Sequence, residues 1–236
     1  MKIATYNIDW GLVYKNNSLL DKFESVLDEL NADILILTET VDCLELKNYR
    51  FSYTTKPLPS DCIYEGINYF NYLKGVGATR VAIYSKYELK KMFKVSDEYT
   101  SICCEFETEI GSICIYATII GTQFNRKPYA NNELENCIND CLSISKTVPH
   151  FCLVGDLNTS FIEEEKYHEI RGINSRKVIN KLTEDCNLDK TTASLVFNID
   201  HIFPSSSLVN NKKINVSSFI EKDKLSDHQG VLVEIS

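Results

Sequence analysis

The feature that most constrains this fold is a series of short apolar runs distributed from one end of the chain to the other. They are Lys2 to Ile8, Asp33 to Leu37, Arg80 to Ser85, Ser101 to Phe106, Ser112 to Ile120, Phe151 to Val154, Asn198 to Phe203 and Gln229 to Ile235. Their β-branched and aromatic content, and lengths too short for a typical helix, read as strands. Helical spacing occurs in few places. Leu19, Phe23, Val26, Leu27 and Leu30 follow a capping box of Ser18 and Asp21. Leu134, Ile138, Cys141, Leu142 and Ser145 recur at similar intervals within Asn132 to Lys146, and Val178, Ile179, Leu182 and Cys186 within Asn174 to Cys186. Many strands with few helices, outside strict βαβ alternation, predict an α+β architecture of packed sheets with helices outside. Gly75-Val76-Gly77 is not continued into G-x-G-x-x-G, so a dinucleotide-binding fold is not supported.

Over 236 residues there is no repeat, low-complexity tract or Pro/Gly-rich linker, and a single domain spanning 1–236 is expected. No apolar run is long enough to span a membrane, and no signal-peptide core follows Met1-Lys2. The expectation is a soluble, cytoplasmic protein with no obligate protein partner. The nine cysteines form no C-x-x-C pairs. Cys114 and Cys152 lie inside apolar strands, where a reduced thiol acts as a small hydrophobe, so a reducing compartment fits and structural zinc does not. A net charge of −8 argues against field-driven binding of a polyanion. The strongest local basic patch, Lys86, Lys90, Lys91 and Lys94, reads as a solvated strand and hairpin.

Polar residues recur where the strands stop. "KIATYNIDWG" brings Asn7 and Asp9 after an apolar run, two apart and so on one face of an extended chain. "ADILILTET" ends in Glu39, and "FCLVGDLNTSF" in Asp156 and Asn158. "FNIDHIF" places Asp200 inside an apolar strand, where a charge is costly unless paired. "KLSDHQGVLVEI" puts Asp227 and His228 before the last strand. Singly, each has an ordinary reading as a turn or strand end. Together, Glu39, Asp156, Asp200 and Asp227 would repel one another unless a cation lay between them. A hard divalent cation such as Mg²⁺, shared with phosphate oxygens, suits that donor set better than a soft metal does.

In this order, the N-x-D, "LTET", "GDLNTS", "IDHIF" and "SDHQ" motifs resemble those of the endonuclease/exonuclease/phosphatase family across residues 5 to 229. That family includes abasic-site endonucleases, secreted deoxyribonucleases, deadenylases, sphingomyelinases and inositol polyphosphate 5-phosphatases. The resemblance implies a four-layered α/β sandwich, two packed, mainly antiparallel or mixed β-sheets flanked by helices, with the catalytic residues at one end. It implies a metal-dependent phosphoric ester hydrolase using Mg²⁺, with Mn²⁺ as a substitute. By the same resemblance Glu39 is the metal-binding glutamate, Asn7 orients metal ligands and phosphate, and Asp9 and Asp227 are further metal-site candidates. Asp156 orients or deprotonates the attacking water, and Asn158 contacts phosphate and nucleophile. His228 stabilises charge on the scissile phosphate, paired with Asp200. His201, adjacent to Asp200, should face the other way and be structural; His150 and His168 read as surface residues.

In "SICIYATIIGTQ", Thr118 stands where many family members carry a His or Tyr. Thr118 or Gln123 is therefore a candidate phosphate contact, as is Arg80, whose guanidinium suits bidentate phosphate recognition. The aromatics between Cys62 and Leu73 could stack on bases or pack in the core. Three functions compete: a phosphodiesterase on nucleic acid, which is the leading reading; a phosphatase or diesterase on a small phosphate ester; and a binding module without catalysis, disfavoured by the complete motif set.

Overall fold

The computed structural model describes residues 1–9, 18–40, 44–57, 63–64, 67–68, 79–121, 129–165, 169–170, 174–220 and 225–236. Gln123, His168, Gly75-Val76-Gly77 and most of the aromatic stretch from Cys62 to Leu73 lie outside the described residues, as does the Ser18 side chain of the expected capping box.

The strands are β1 (Lys2–Asn7), β2 (Ile34–Thr38), β3 (Phe51–Thr54), β4 (Ile63–Tyr64), β5 (Ile67–Asn68), β6 (Val81–Ser85), β7 (Leu89–Phe93), β8 (Ser101–Thr108), β9 (Gly111–Ile119), β10 (Phe151–Asp156), β11 (Asp200–Pro204), β12 (Ile214–Ile220) and β13 (Gly230–Ile235). The helices are α1 (Ser18–Leu30), α2 (Tyr129–Ile144), α3 (Ser175–Asp185) and the short α4 (Ser206–Val209). A 6-stranded sheet runs β12-β13-β1-β2-β6-β3 and a 5-stranded sheet runs β11-β10-β9-β8-β7, with β4 and β5 as a separate pair.

Side-chain alternation explains the layering. Ile3, Ile34, Ile36, Val81, Ile83 and Val233 of the first sheet pack against Ile102, Ile113, Ile115, Cys152, Val154 and Ile202 of the second in one buried cluster. The opposite face of the first sheet, with Ala4, Tyr6, Leu35 and Leu37, is covered by Phe23 and Leu27 of α1. The opposite face of the second, with Tyr116, Phe151, Leu153 and Phe203, is covered by Leu134 and Cys137 of α2 and Ile179 and Leu182 of α3. The result is the expected four-layered α+β sandwich. Strands covered on both faces read as unbroken apolar runs, which is why they were conspicuous in the sequence.

The seven described cysteines are free and buried. Cys137 and Cys141, one helical turn apart, have sulfurs 3.9 Å apart and no disulfide. Burial pushes the Cys104 thiol up to about 12, which makes it a packing group and not a nucleophile. No helix among the described residues is long and apolar enough to cross a membrane.

The register gathers the strand ends. β1 and β2 run parallel with Asn7 opposite Thr38, while β10 and β11 run antiparallel with Asp156 opposite Asp200. The C-terminal ends of β1, β2 and β10 and the N-terminal ends of β11 and β13 therefore carry the motif residues.

Candidate active site

Asp156 ends β10 and is 1% exposed. Its Oδ2 accepts from Asn7 Nδ2 at 3.0 Å, and its Oδ1 from the Asn158 backbone N–H at 2.8 Å. Asn158 Nδ2 donates both to Asp156 Oδ2 at 3.2 Å and to the Ile120 carbonyl at 2.8 Å. Both amide hydrogens of Asn158 are thereby engaged, so it orients Asp156 in this arrangement and leaves no donor for a phosphate. Asn7, 149 positions from Asp156 in sequence, meets it because β1 and β10 lie on facing sheets.

His228, just before β13, donates from Nδ1 to Asp200 Oδ2 at 2.6 Å. That leaves Nε2 as the outward nitrogen. Burial alone would lower the His228 pKa; the Asp200 charge and hydrogen bond outweigh it and raise the group to about 10. Asp156 goes the other way for a carboxylate. Burial, then repulsion by Asp200 opposite it, push its pKa up to about 8, and Glu39 adds to the rise. Ser226 Oγ accepts the His228 backbone N–H at 3.2 Å and fixes the turn.

Potential ligand atoms of Asp156, Asp200 and His228 all lie within 4.8 Å of one another, a grouping found among the described residues. Asp200 Oδ1 is buried with no hydrogen-bond partner among the described residues. Two carboxylates forced together, one oxygen unpaired, in a set dominated by oxygen donors, fit a divalent cation close by. Glu39 lies outside that tight group, with its side chain 28% exposed and Oε1 4.0 Å from Arg80 Nη2. Asp227 is more open, 69% exposed, with Oδ1 3.7 Å from His228 Nε2.

Other expectations change. Asp9 lies beyond β1 with φ +45°, so strand alternation does not place it; its N–H bonds Asn7 Oδ1 at 3.0 Å in a local turn. Glu39 and Asn158 also hold positive φ, +48° and +46°. Strained backbone at three motif residues is a mark of sites where geometry is over-determined. Thr118 is not available as a phosphate contact: it is 1% exposed and its hydroxyl is shared with Ser101 Oγ at 2.8 Å and the Thr100 carbonyl at 3.3 Å. Alternation turns it to the helix-covered face of its sheet, away from Asp156. Arg80 is buried beside Glu39 and does not stand open to solvent. His201 faces away from the site, as expected, with Nε2 on the Thr159 carbonyl at 2.9 Å and Nδ1 on Thr192 Oγ1 at 3.2 Å.

Sequence reasoning passed over Asn198 and Phe197. Asn198 is buried, and its amide donates to the Asp200 carbonyl while accepting the Asp200 N–H; its place two residues before Asp200 was the available signal. Phe197 is 53% exposed with φ +56°, its N–H held by Glu165 Oε1 at 2.8 Å. Gln229, next to His228, donates to the adjoining Val196 carbonyl at 3.0 Å. Nothing in an apolar run announces that one of its aromatics faces solvent.

A profile of the Endonuclease/Exonuclease/phosphatase family matches residues 4–228. No curated protein matches the sequence. Among solved structures, a 3'-5' exonuclease from Neisseria meningitidis superposes with TM-score 0.69 at 16% identity, covering 100% of both chains. An AP endonuclease from Archaeoglobus fulgidus gives 0.69 at 17%, covering 100% of this chain and 99% of its own. A beta toxin from Staphylococcus aureus gives 0.60 at 16%, again with 100% of both chains. At such identities these likenesses speak for the fold.

Proposed function

The chain belongs to the endonuclease/exonuclease/phosphatase family, a family of phosphoric ester hydrolases, and from that membership we propose that it is a Mg²⁺-dependent phosphodiesterase acting on nucleic acid. The observation that carries the reading is the Asp200–His228 pair at 2.6 Å set beside Asp156. It joins a fixed, protonated donor to a buried carboxylate at one strand end.

The reaction is in-line attack of water on phosphorus. Asp156, held by Asn7 and Asn158, orients the water and takes its proton. His228 donates from Nε2 to the phosphoryl oxygen where charge develops, and Asp200 keeps its ring oriented and charged. Glu39 and Asn7 would hold Mg²⁺ or Mn²⁺, with Asp9 and Asp227 beside them. When bound, the cation supplies charge neutralisation at the phosphoryl and leaving oxygens. It would also favour the ionised form of Asp156, which burial otherwise keeps protonated to about 8. A small phosphate ester is the second reading, favoured by the net charge of −8.

The test is hydrolysis of supercoiled plasmid, abasic duplex, single-stranded DNA, RNA and small phosphate esters with Mg²⁺, with Mn²⁺ and with EDTA. Metal-dependent cleavage of a nucleic acid is expected, reduced about 10²- to 10⁴-fold in Asp156→Asn, which keeps the turn but loses the base. Parent-rate turnover by that variant would remove Asp156 from its role. Turnover of small esters alone would move the assignment to the second reading.

A further inference from the structure

The least explained charge in the fold is Arg80. It immediately precedes β6, is 4% exposed, and its Nε is buried with no hydrogen-bond partner among the described residues. A desolvated guanidinium is costly unless an anion faces it. The carboxylate that faces it is Glu39, 4.0 Å from Nη2, at the long limit of an ion pair. The two backbones are locked together. Glu39 N–H donates to the Arg80 carbonyl at 2.8 Å, and Arg80 N–H donates to Thr55 Oγ1 at 3.0 Å. Glu39 itself sits in a left-handed conformation, φ +48°, so its side chain departs from the β2 path. Among the described residues the Glu39 carboxylate faces Arg80, while Asn7, Asp156 and Asp200 are each fixed by hydrogen bonds.

We propose that Arg80 is the positioning residue for Glu39: its buried guanidinium aims the carboxylate at the cation site and does not itself bind substrate. This rests on the cation-dependent reading above. A side chain 5% exposed has little surface to offer a phosphate, whereas its planar fork can hold one carboxylate oxygen and leave the other for a metal. A positive charge so close also repels a bound cation, so the role stands or falls on orientation outweighing that repulsion.

The experiment measures Mg²⁺ binding by calorimetry, and KM and kcat at saturating Mg²⁺, for the full chain and for Arg80→Gln, Arg80→Lys, Glu39→Gln and the Arg80→Gln/Glu39→Gln double variant. Arg80→Gln should raise the Mg²⁺ Kd about tenfold and leave KM within about twofold. Arg80→Lys, which keeps the buried charge and serves where the Gln variant fails to fold, should recover part of the affinity. In the Glu39→Gln background, Arg80→Gln should add no further loss, because its effect passes through Glu39. Unchanged or tighter Mg²⁺ binding in Arg80→Gln, a raised KM with unchanged Kd, or losses that multiply in the double variant would each overturn the proposal. A parent protein that binds no Mg²⁺ would overturn the cation-dependent reading itself, a failure visible before any variant is compared.

Discussion

At the residue scale, the site is a set of side chains whose protonation is decided by their neighbours. His228 owes its raised pKa of about 10 to Asp200, against the lowering effect of burial. Asp200→Asn should therefore bring the His228 titration down to its ordinary value near 6.5 or below, followed by NMR of the imidazole in EDTA. An unmoved titration would mean another group charges the ring. His201 shows the opposite case. Burial outweighs its contacts and lowers it to about 4. Between that value and its unfolded pKa near 6.5, the unfolded chain binds the extra proton. The stability tied to neutral His201 is thus fully present above about 6.5 and is lost as pH falls toward 4, by up to roughly 3 kcal/mol. Urea unfolding at pH 5 and pH 7.5 reads this slope, and His201→Gln, which can still donate to the Thr159 carbonyl, should flatten it. The sequence named Asn7, Asp156, Asn158, Asp200 and His228, which the structure brings together. It could not show that Thr118 turns to the wrong face, bonded to Ser101, or that Asn158 divides its donors between Asp156 and the Ile120 carbonyl, because Ser101 and Ile120 are brought there by tertiary pairing.

At the element scale, the strands found in the sequence are those covered on both faces. The longer ones outside those apolar runs, β3, β7 and β12, are edge strands, β7 being legible only as the solvated strand of the basic patch. β3 alternates half-buried and exposed residues, and β7 exposes Lys90, Lys91 and Met92 between half-buried ends, half-solvated patterns that leave no apolar run to detect. The basic patch is explained by this edge: Lys90 on β7 bridges Glu105 at 3.1 Å and Glu107 at 3.3 Å, and Lys91 lies over Phe93. Charges of this kind blunt an exposed strand and do not mark a polyanion site. β10 carries the tightest constraint. Gly155 has φ +134°, and a Cβ there would stand 1.9 Å from the Thr118 carbonyl oxygen of parallel β9. Gly155→Ala should cost about 3 kcal/mol or more and displace Asp156, seen as a lower denaturation midpoint with lost activity. By contrast, Asn174 caps α3 by accepting the Lys177 N–H at 3.2 Å in an exposed position. Asn174→Ala should cost about 1 kcal/mol and leave activity intact, since α3 lies on the outer layer.

At the scale of the whole molecule, the site spans both sheets. Asn7 and Glu39 come from one, Asp156 and Asp200 from the other, and the apolar cluster beneath them is shared. A single unfolding unit is the expected consequence, with fluorescence and circular dichroism transitions coinciding in urea; separated transitions would divide the chain. Mg²⁺ binding only to the folded state should raise stability by about 2.7 kcal/mol at a hundred times its Kd. Chelation should remove that gain, and Glu39→Gln should reduce it by raising the Mg²⁺ Kd.

The sequence by itself determined the fold class, the strands of the double-covered core and the motif residues, because apolar period and strand-end polarity are local properties of the chain. Only the tertiary structure decided which carboxylates meet, which backbone positions are strained, and that Arg80 is buried against Glu39. Those outcomes depend on the register between strands and the facing of two sheets, which bring together residues far apart in the chain.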